Sequence, residues 1–247
     1  MNLSKTVMAQ CRKPAGLFGR TLVRLMNHTH KVAKWGLTYA SIYPDAVVLD
    51  VGCGGGKTVN RLAKLAPNGK VYGVDYSEDS VKVATEQNKK LIKAGRVKIL
   101  HASVEALPFP DDFFDLVTAV ETYYFWPNIV ENLKEIRRVL KPRGQILLIN
   151  EAYKHEKFEK RNKKFAELGN FKYHSPEEYL QFLNDSGYIV EEINVLEDNN
   201  WIAAKGKKTT LTNFQYLGCL LGFLSFSILI PSFCWFCFST NFFSGKL

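Results

Sequence analysis

No aspartate or glutamate precedes Asp45, although Lys5, Arg12, Lys13, Arg20, Arg24, Lys31 and Lys34 all do. A stretch so free of acid excludes a docking face for basic partners and suits an anionic surface or an anionic substrate. Lys205, Lys207, Lys208 and Lys246 add four more positive charges near the other end. Removing these eleven from the net +9 leaves the body of the chain at −2, too acidic for a broad nucleic-acid face. Cysteine is scarce. Cys11, Cys53, Cys219, Cys234 and Cys237 are odd in number and share no repeated spacing, which argues against a disulfide framework and for a reducing compartment. Cys234-Trp235-Phe236-Cys237 has metal-binding spacing but lacks a second pair or a histidine, so no metal site is expected. The N-terminus has no continuous apolar run, and no cleaved signal peptide is expected.

Charge is missing again from Leu211 to Phe238, and these 28 residues exceed the roughly 20 that span a bilayer as a helix. Two readings lead, with a buried soluble helix third because an all-round apolar segment beyond a complete domain has nothing left to pack against. One is a membrane anchor, with Lys205, Lys207 and Lys208 keeping the preceding domain on the cytoplasmic side. The other is a non-native extension, because Gly218, Gly222 and Pro231 interrupt the run and the composition changes abruptly after a domain that already looks complete. The protein is thus expected to be cytoplasmic, or membrane-anchored through the tail and facing the cytoplasm. Three regions are expected: a basic helical cap over 1–44, a catalytic domain over 45–208 and the apolar tail over 209–247.

What the chain does have is a glycine loop. Val48-Leu49-Asp50-Val51 reads as a buried strand opening into Gly52-Cys53-Gly54-Gly55-Gly56, where the backbone can take φ > 0 and approach a ligand at the start of a helix from Lys57. The dinucleotide fingerprint G-x-G-x-x-G needs a third glycine where Lys57 stands, so an NAD-dependent oxidoreductase is the weaker reading. About 20 residues on, Lys70 to Asp75 is a second short strand ending in an acid, placed to accept hydrogen bonds from two ribose hydroxyls. Val97 to Leu100, Phe114 to Val120 and Ile146 to Asn150 read as further strands, alternating with helices near Thr58 to Leu65, Ser77 to Lys93 and Val130 to Leu140. Ser175-Pro176-Glu177-Glu178 is a capping box opening another helix. Ile189 to Leu196 and Trp201 to Lys205 read as a hairpin, and Leu17 to Tyr39 as one or two amphipathic helices.

Asp50 with Gly52, Gly54 and Gly56, the acid at Asp75, the segment Ala102 to Phe109, and Leu133 to Gly144 follow one another in a known order. They resemble the motifs of class I S-adenosylmethionine-dependent methyltransferases, over about Val47 to Lys208, and most closely the branch with ubiquinone and menaquinone C-methyltransferases and many small-molecule enzymes. The resemblance implies an α/β fold: a Rossmann-like three-layer sandwich whose mostly parallel seven-stranded sheet ends in an antiparallel hairpin. It implies S-adenosylmethionine as cofactor, held by Asp50, Gly52, Cys53, Gly54, Asp75, Tyr76, Ser103, Val104 and Glu121. Two departures stand out. Ser103 replaces the aspartate that often binds the adenine amino group but keeps an acceptor, and Arg143 replaces a commoner glycine.

Methyl transfer from a sulfonium needs no metal, only positioning and the exclusion of water. Glu121-Thr122-Tyr123-Tyr124-Phe125-Trp126 follows the fourth strand, at the sheet end where ligands bind. Glu121 is expected beside the methionine part of the cofactor and in a catalytic role, with Tyr124 or Trp126 facing the sulfonium or the substrate. In the cap, His30 is a candidate general base and His28 a candidate substrate contact, although a lone histidine is more often structural. Glu121-Thr122-Tyr123-Tyr124 stands where nucleic-acid N-methyltransferases carry an Asn/Asp-Pro-Pro-Tyr sequence, and arsenic methylation would need more thiols than Cys53 alone. The expected reaction moves a methyl group to O, N or C of a small molecule. A module that binds the cofactor without catalysis is the alternative.

Overall fold

The computed structural model describes residues 3–26 and 31–209. His28, His30 and the apolar tail beyond Thr209 lie outside them. Seven strands, β1 (Val47–Val51), β2 (Lys70–Asp75), β3 (Val97–His101), β4 (Phe114–Val120), β5 (Leu140–Asn150), β6 (Tyr188–Leu196) and β7 (Trp201–Lys208), form one sheet in the order β3-β2-β1-β4-β5-β7-β6. The first five run parallel, and β7 pairs antiparallel with both β5 and β6. The central strands β1 and β4 and the second half of β5 are buried on both faces because helices cover each side of the sheet, whereas the edge strand β3 buries only Val97. One core gathers Leu49, Val51, Phe114, Leu133, Ile136 and Leu148; the other gathers Val48, Leu62, Val71, Leu116, Leu147 and Ile149.

Helices α4 (Lys57–Leu65), α5 (Glu78–Gln87), α6 (Lys89–Lys93), α7 (Ile129–Val139), α8 (Glu159–Gly169) and α9 (Pro176–Asp185) connect the strands. Their starts follow the capping chemistry. Ser77 accepts from Ser80 N at 3.3 Å, Asn128 from Glu131 N at 3.2 Å, and Ser175 and Glu178 form the reciprocal capping box. Before β1 lie three short helices, α1 (Leu3–Arg12), α2 (Gly16–Met26) and α3 (Lys31–Gly36); the last two fall where the periodicity predicts one or two, and α1 precedes that stretch. Val32, Ala33 and Leu37 belong to the second core, and a Cβ at Gly36 would collide with the Ile149 side chain, so glycine lets α3 approach β5 closely.

Two elements differ from the sequence expectation. The single helix over Ser77 to Lys93 is broken at Asn88, whose buried Nδ2 donates to Gly56 O and Ala84 O, each at 2.9 Å. That bond supports the glycine loop 32 residues away, which no local pattern reveals. β5 begins six residues before Ile146, because Leu140 pairs with Phe114 ahead of an irregularity in the register. Arg143 lies there at φ 67°, the left-handed conformation for which glycine is the natural residue. Among the described residues no helix is long and apolar enough to cross a membrane.

Candidate functional site

The parallel strands end together where β1 lies between β2 and β4, and connections leave in opposite directions from that point. The chain turns sharply after Val51. Gly52 N and Cys53 N both donate to Val74 O, at 2.8 and 3.0 Å, which folds the loop over the end of β2. Gly52, Gly54 and Gly56 have φ of 69°, 50° and 77°. A Cβ on Gly52 would collide with the Thr122 hydroxyl, whereas one on Gly54 would meet nothing within 4 Å. The first glycine is therefore required by packing, and the second faces open space. The Cys53 thiol turns into the core near Gly73, so this residue offers the loop its backbone rather than its sulfur.

Asp75 closes the loop. Its Oδ2 accepts from Gly54 N and its Oδ1 from Ser77 N, both at 2.9 Å. Burial raises its pKa, and these two N–H groups oppose the rise. Asp50, at 2% exposure, takes a hydrogen bond from Thr118 Oγ1 at 2.7 Å. Burial pushes its pKa up to about 7, with Thr118 pulling down and the neighbouring Asp75 adding to the rise. Both acids line a cavity of about 380 Å³, together with the glycine loop and the first turn of α4. That volume falls in the range of about 300–1,000 Å³ typical of small-molecule sites.

The cavity's far edge is formed by Tyr76, Ser103, Val104 and Glu105. Tyr76 donates its hydroxyl to Arg12 O, with Lys13 Nζ 5.4 Å from its ring centre, and Ser77 Oγ donates to Pro14 O at 2.7 Å. These bonds tie the turn between α1 and α2 to the cavity rim. The Ser103 hydroxyl turns toward Glu105. Its Oγ donates to Glu105 Oε2 at 3.1 Å and accepts from Glu105 N at 3.3 Å, so the Glu105 carboxylate lies beside Ser103 at the cavity edge.

Glu121 sits just past β4 at φ 58°, an uncommon conformation for a side-chain-bearing residue. Tyr124 OH donates to its Oε2 at 3.1 Å, and the Glu151 N–H donates to its Oε1. Burial pushes its pKa up to about 7; the charge of Glu151 adds to this, and the two hydrogen bonds oppose it. Glu121 lines the cavity with Thr122, Phe125 and Trp126, but Tyr124 does not. Its ring stacks on Phe171 at 4.7 Å, and it lines a second, open cavity of about 400 Å³ with His174 and Phe182. Trp126 borders both. The structure thus brings together Asp50, the loop glycines, Asp75, Tyr76, Ser103, Val104, Glu121 and Trp126, and leaves Tyr124 behind Glu121.

Several lining residues carry no signal in the sequence. Gln10, Arg12, Pro14 and Val23 reach the cavity from α1, α2 and the turn between them, a contact that depends on long-range docking. Thr118 had a legible signal: it is the one hydroxyl inside an apolar strand, and a buried hydroxyl needs a partner. The Ser103-x-Glu105 spacing, suited to a local serine turn, also marked Glu105.

Residues 49–148 match the family model described as a methyltransferase domain. A demethylmenaquinone methyltransferase of Geobacillus kaustophilus is 41% identical over 102 residues, which are 41% of this chain and 43% of that protein. The match thus spans less than half the length of that relative. An uncharacterized methyltransferase of Bacillus subtilis is 27% identical over 133 residues, 54% of this chain and 71% of that one. Among solved structures, a SAM-dependent methyltransferase from Aquifex aeolicus superposes with a TM-score of 0.62 at 22% identity, covering 76% of this chain and 97% of the other. The sequence match over residues 49–148 and the shared fold support a class I S-adenosylmethionine-dependent methyltransferase.

Proposed function

We propose that the protein transfers a methyl group from S-adenosylmethionine to a small-molecule acceptor, with Glu121 taking the acceptor's proton. The observation that carries this reading is one cavity holding the open Gly54 face and Asp75 at one side and the Glu121 carboxylate at another. The residues suit the cofactor. Asp75 has acceptor capacity left on each oxygen for ribose hydroxyls, Glu105 for an exocyclic amine, and Asp50, once ionised above about pH 7, negative charge for a cationic amino-acid moiety. When bound, S-adenosylmethionine supplies a sulfonium methyl group open to in-line displacement. The protein's own part is positional and electrostatic.

Glu121 serves as base because its pKa of about 7 lets it hold or release a proton near neutrality. Tyr124 and the Glu151 N–H fix both of its oxygens, so the carboxylate keeps one orientation. Glu121 would take the proton that the acceptor's nucleophilic atom gives up on methylation. Phe125 and Trp126 give the acceptor side an aromatic wall, and the likeness to a demethylmenaquinone methyltransferase supports an acceptor with a ring. The test is release of S-adenosylhomocysteine in the presence of pooled quinols, phenols and amines, with the methylated product identified by mass spectrometry. Tight cofactor binding with no turnover on any pool would favour a binding module without catalysis.

A further inference from the structure

Helix α2 is apolar on two sides. Val23 turns inward to the cavity wall, but Leu17, Phe18 and Leu25 remain 78%, 52% and 63% exposed. At about 100° per residue, Leu17, Thr21, Leu25 and Phe18 fall within an arc of about 100°. That outward stripe is as wide as the stripe a globular helix normally buries. Arg20 and Arg24 flank it on one side, reaching back to Asp79 at 3.4 Å and Glu86 at 2.6 Å on α5. Arg12 and Lys13 before the helix in sequence, and Lys31 and Lys34 after it, are exposed, and no acidic residue occurs before Asp45.

We propose that α2 docks on an anionic lipid bilayer, lying in the plane of the interface with Leu17, Phe18 and Leu25 inserted below the headgroups. With 11 residues it is only about 16 Å long, far short of a span of about 30 Å, so it lies on the membrane rather than through it. Charge selects the occupant. A second copy of this chain would bring the same positive residues against themselves, whereas phosphate headgroups complement Lys13, Lys31 and Lys34 while the apolar stripe leaves water. Leu17, Phe18 and Leu25 belong to none of the cofactor contacts, so this surface stands or falls independently of the methyl-transfer reading.

The test is co-sedimentation of the full chain with phosphatidylcholine–phosphatidylglycerol vesicles and with phosphatidylcholine vesicles alone. The comparison protein is the full chain carrying Leu17→Ser, Phe18→Ser and Leu25→Ser. Both proteins keep the same tail, so the difference between them reads α2. The parent should partition to the anionic vesicles about tenfold or more above the variant, lose binding as salt rises, and bind the neutral vesicles weakly. The variant's melting temperature should match the parent's, since the three side chains are exposed. Equal partition of parent and variant, or equal binding to neutral and anionic vesicles, would overturn the proposal. So would light scattering that shows the parent as a dimer, the variant as a monomer and neither on vesicles, because the stripe would then cover a second copy.

Discussion

Asp75 Oδ2 accepts the Gly54 N–H at 2.9 Å, joining the end of β2 to the glycine loop across 21 residues of sequence. The same carboxylate also receives Ser77 N. One side chain therefore fixes the loop, starts α5 and faces the cavity that we propose holds the cofactor. Asp75→Ala removes two charge-assisted bonds and the acceptor for ligand hydroxyls together. Affinity for S-adenosylmethionine should fall by about 1.5–3 kcal/mol, while the sheet, whose register does not depend on the carboxylate, stays folded. Calorimetry showing unchanged affinity would remove Asp75 from the cofactor site.

Glu121 and Tyr124 make a prediction about pH. A base works in its ionised form, so turnover should rise as pH passes through about 7 and then level off. Glu121→Gln should cost about 10²–10⁴-fold in kcat and abolish that limb, with a smaller effect on cofactor affinity. Tyr124→Phe removes a hydrogen bond that favours the ionised carboxylate, so the limb should move to higher pH. A limb that survives in Glu121→Gln would assign the titration to another group.

Glu105 tests the departure at Ser103. If its carboxylate receives the adenine amino group, Glu105→Ala should weaken S-adenosylhomocysteine by about 1–2 kcal/mol. The same change should leave the inosine analogue, which lacks that amine, nearly unaffected. Ser103→Asp would set a second carboxylate against Glu105, whose Oε2 now accepts the serine hydroxyl at 3.1 Å. Equal losses for both ligands in Glu105→Ala would mean that the residue supports the loop and does not read the base.

The parallel strands were legible because each is a short apolar run closed by an acid, a glycine or a polar turn, and burial on both faces makes such runs continuous. Capping boxes and N-caps at Ser77 and Ser175 were legible for the same local reason. What stayed hidden depends on contacts far apart in sequence. Asn88 interrupts a helical pattern to bond Gly56 O, and Glu121 gains its second donor from Glu151, which lies beyond the next strand. The cavity wall from α1 and α2 was hidden too, since Tyr76 and Ser77 hold that turn by its backbone carbonyls, which any sequence supplies. Tyr124 stacks on Phe171 and lines the second cavity, a placement set by a residue 47 positions away that no local pattern reveals.

Arg143 offers a stability prediction unconnected with catalysis. It holds φ 67° where β5 begins, and a non-glycine residue there pays about 1–2 kcal/mol. Glycine relieves that strain but gives back part of it as unfolded-state entropy. Arg143→Gly should therefore stabilise the fold by up to about 1 kcal/mol in urea denaturation, with the m-value unchanged. A destabilised variant would show that the Arg143 side chain makes a contact worth more than the backbone strain.

Asp50 and Glu121 link the cavity to stability. Burial pushes both carboxyls up to about 7, well above the value of about 4 that each has in the unfolded chain. Between those two values the folded state holds protons that the unfolded state has released. Stability from these groups is thus fully present near pH 4, falls as pH rises, and levels off above about 7. Asp75, whose pKa is also raised, acts in the same direction. A cationic ligand compensates the ionised carboxylates and not the protonated ones. The rise in melting temperature caused by S-adenosylmethionine should therefore be larger at about pH 8 than at about pH 5.5, measured at equal ligand excess. A thermal shift that is constant across this range, or larger in acid, would mean that the ligand's positive charge does not meet Asp50 or Glu121.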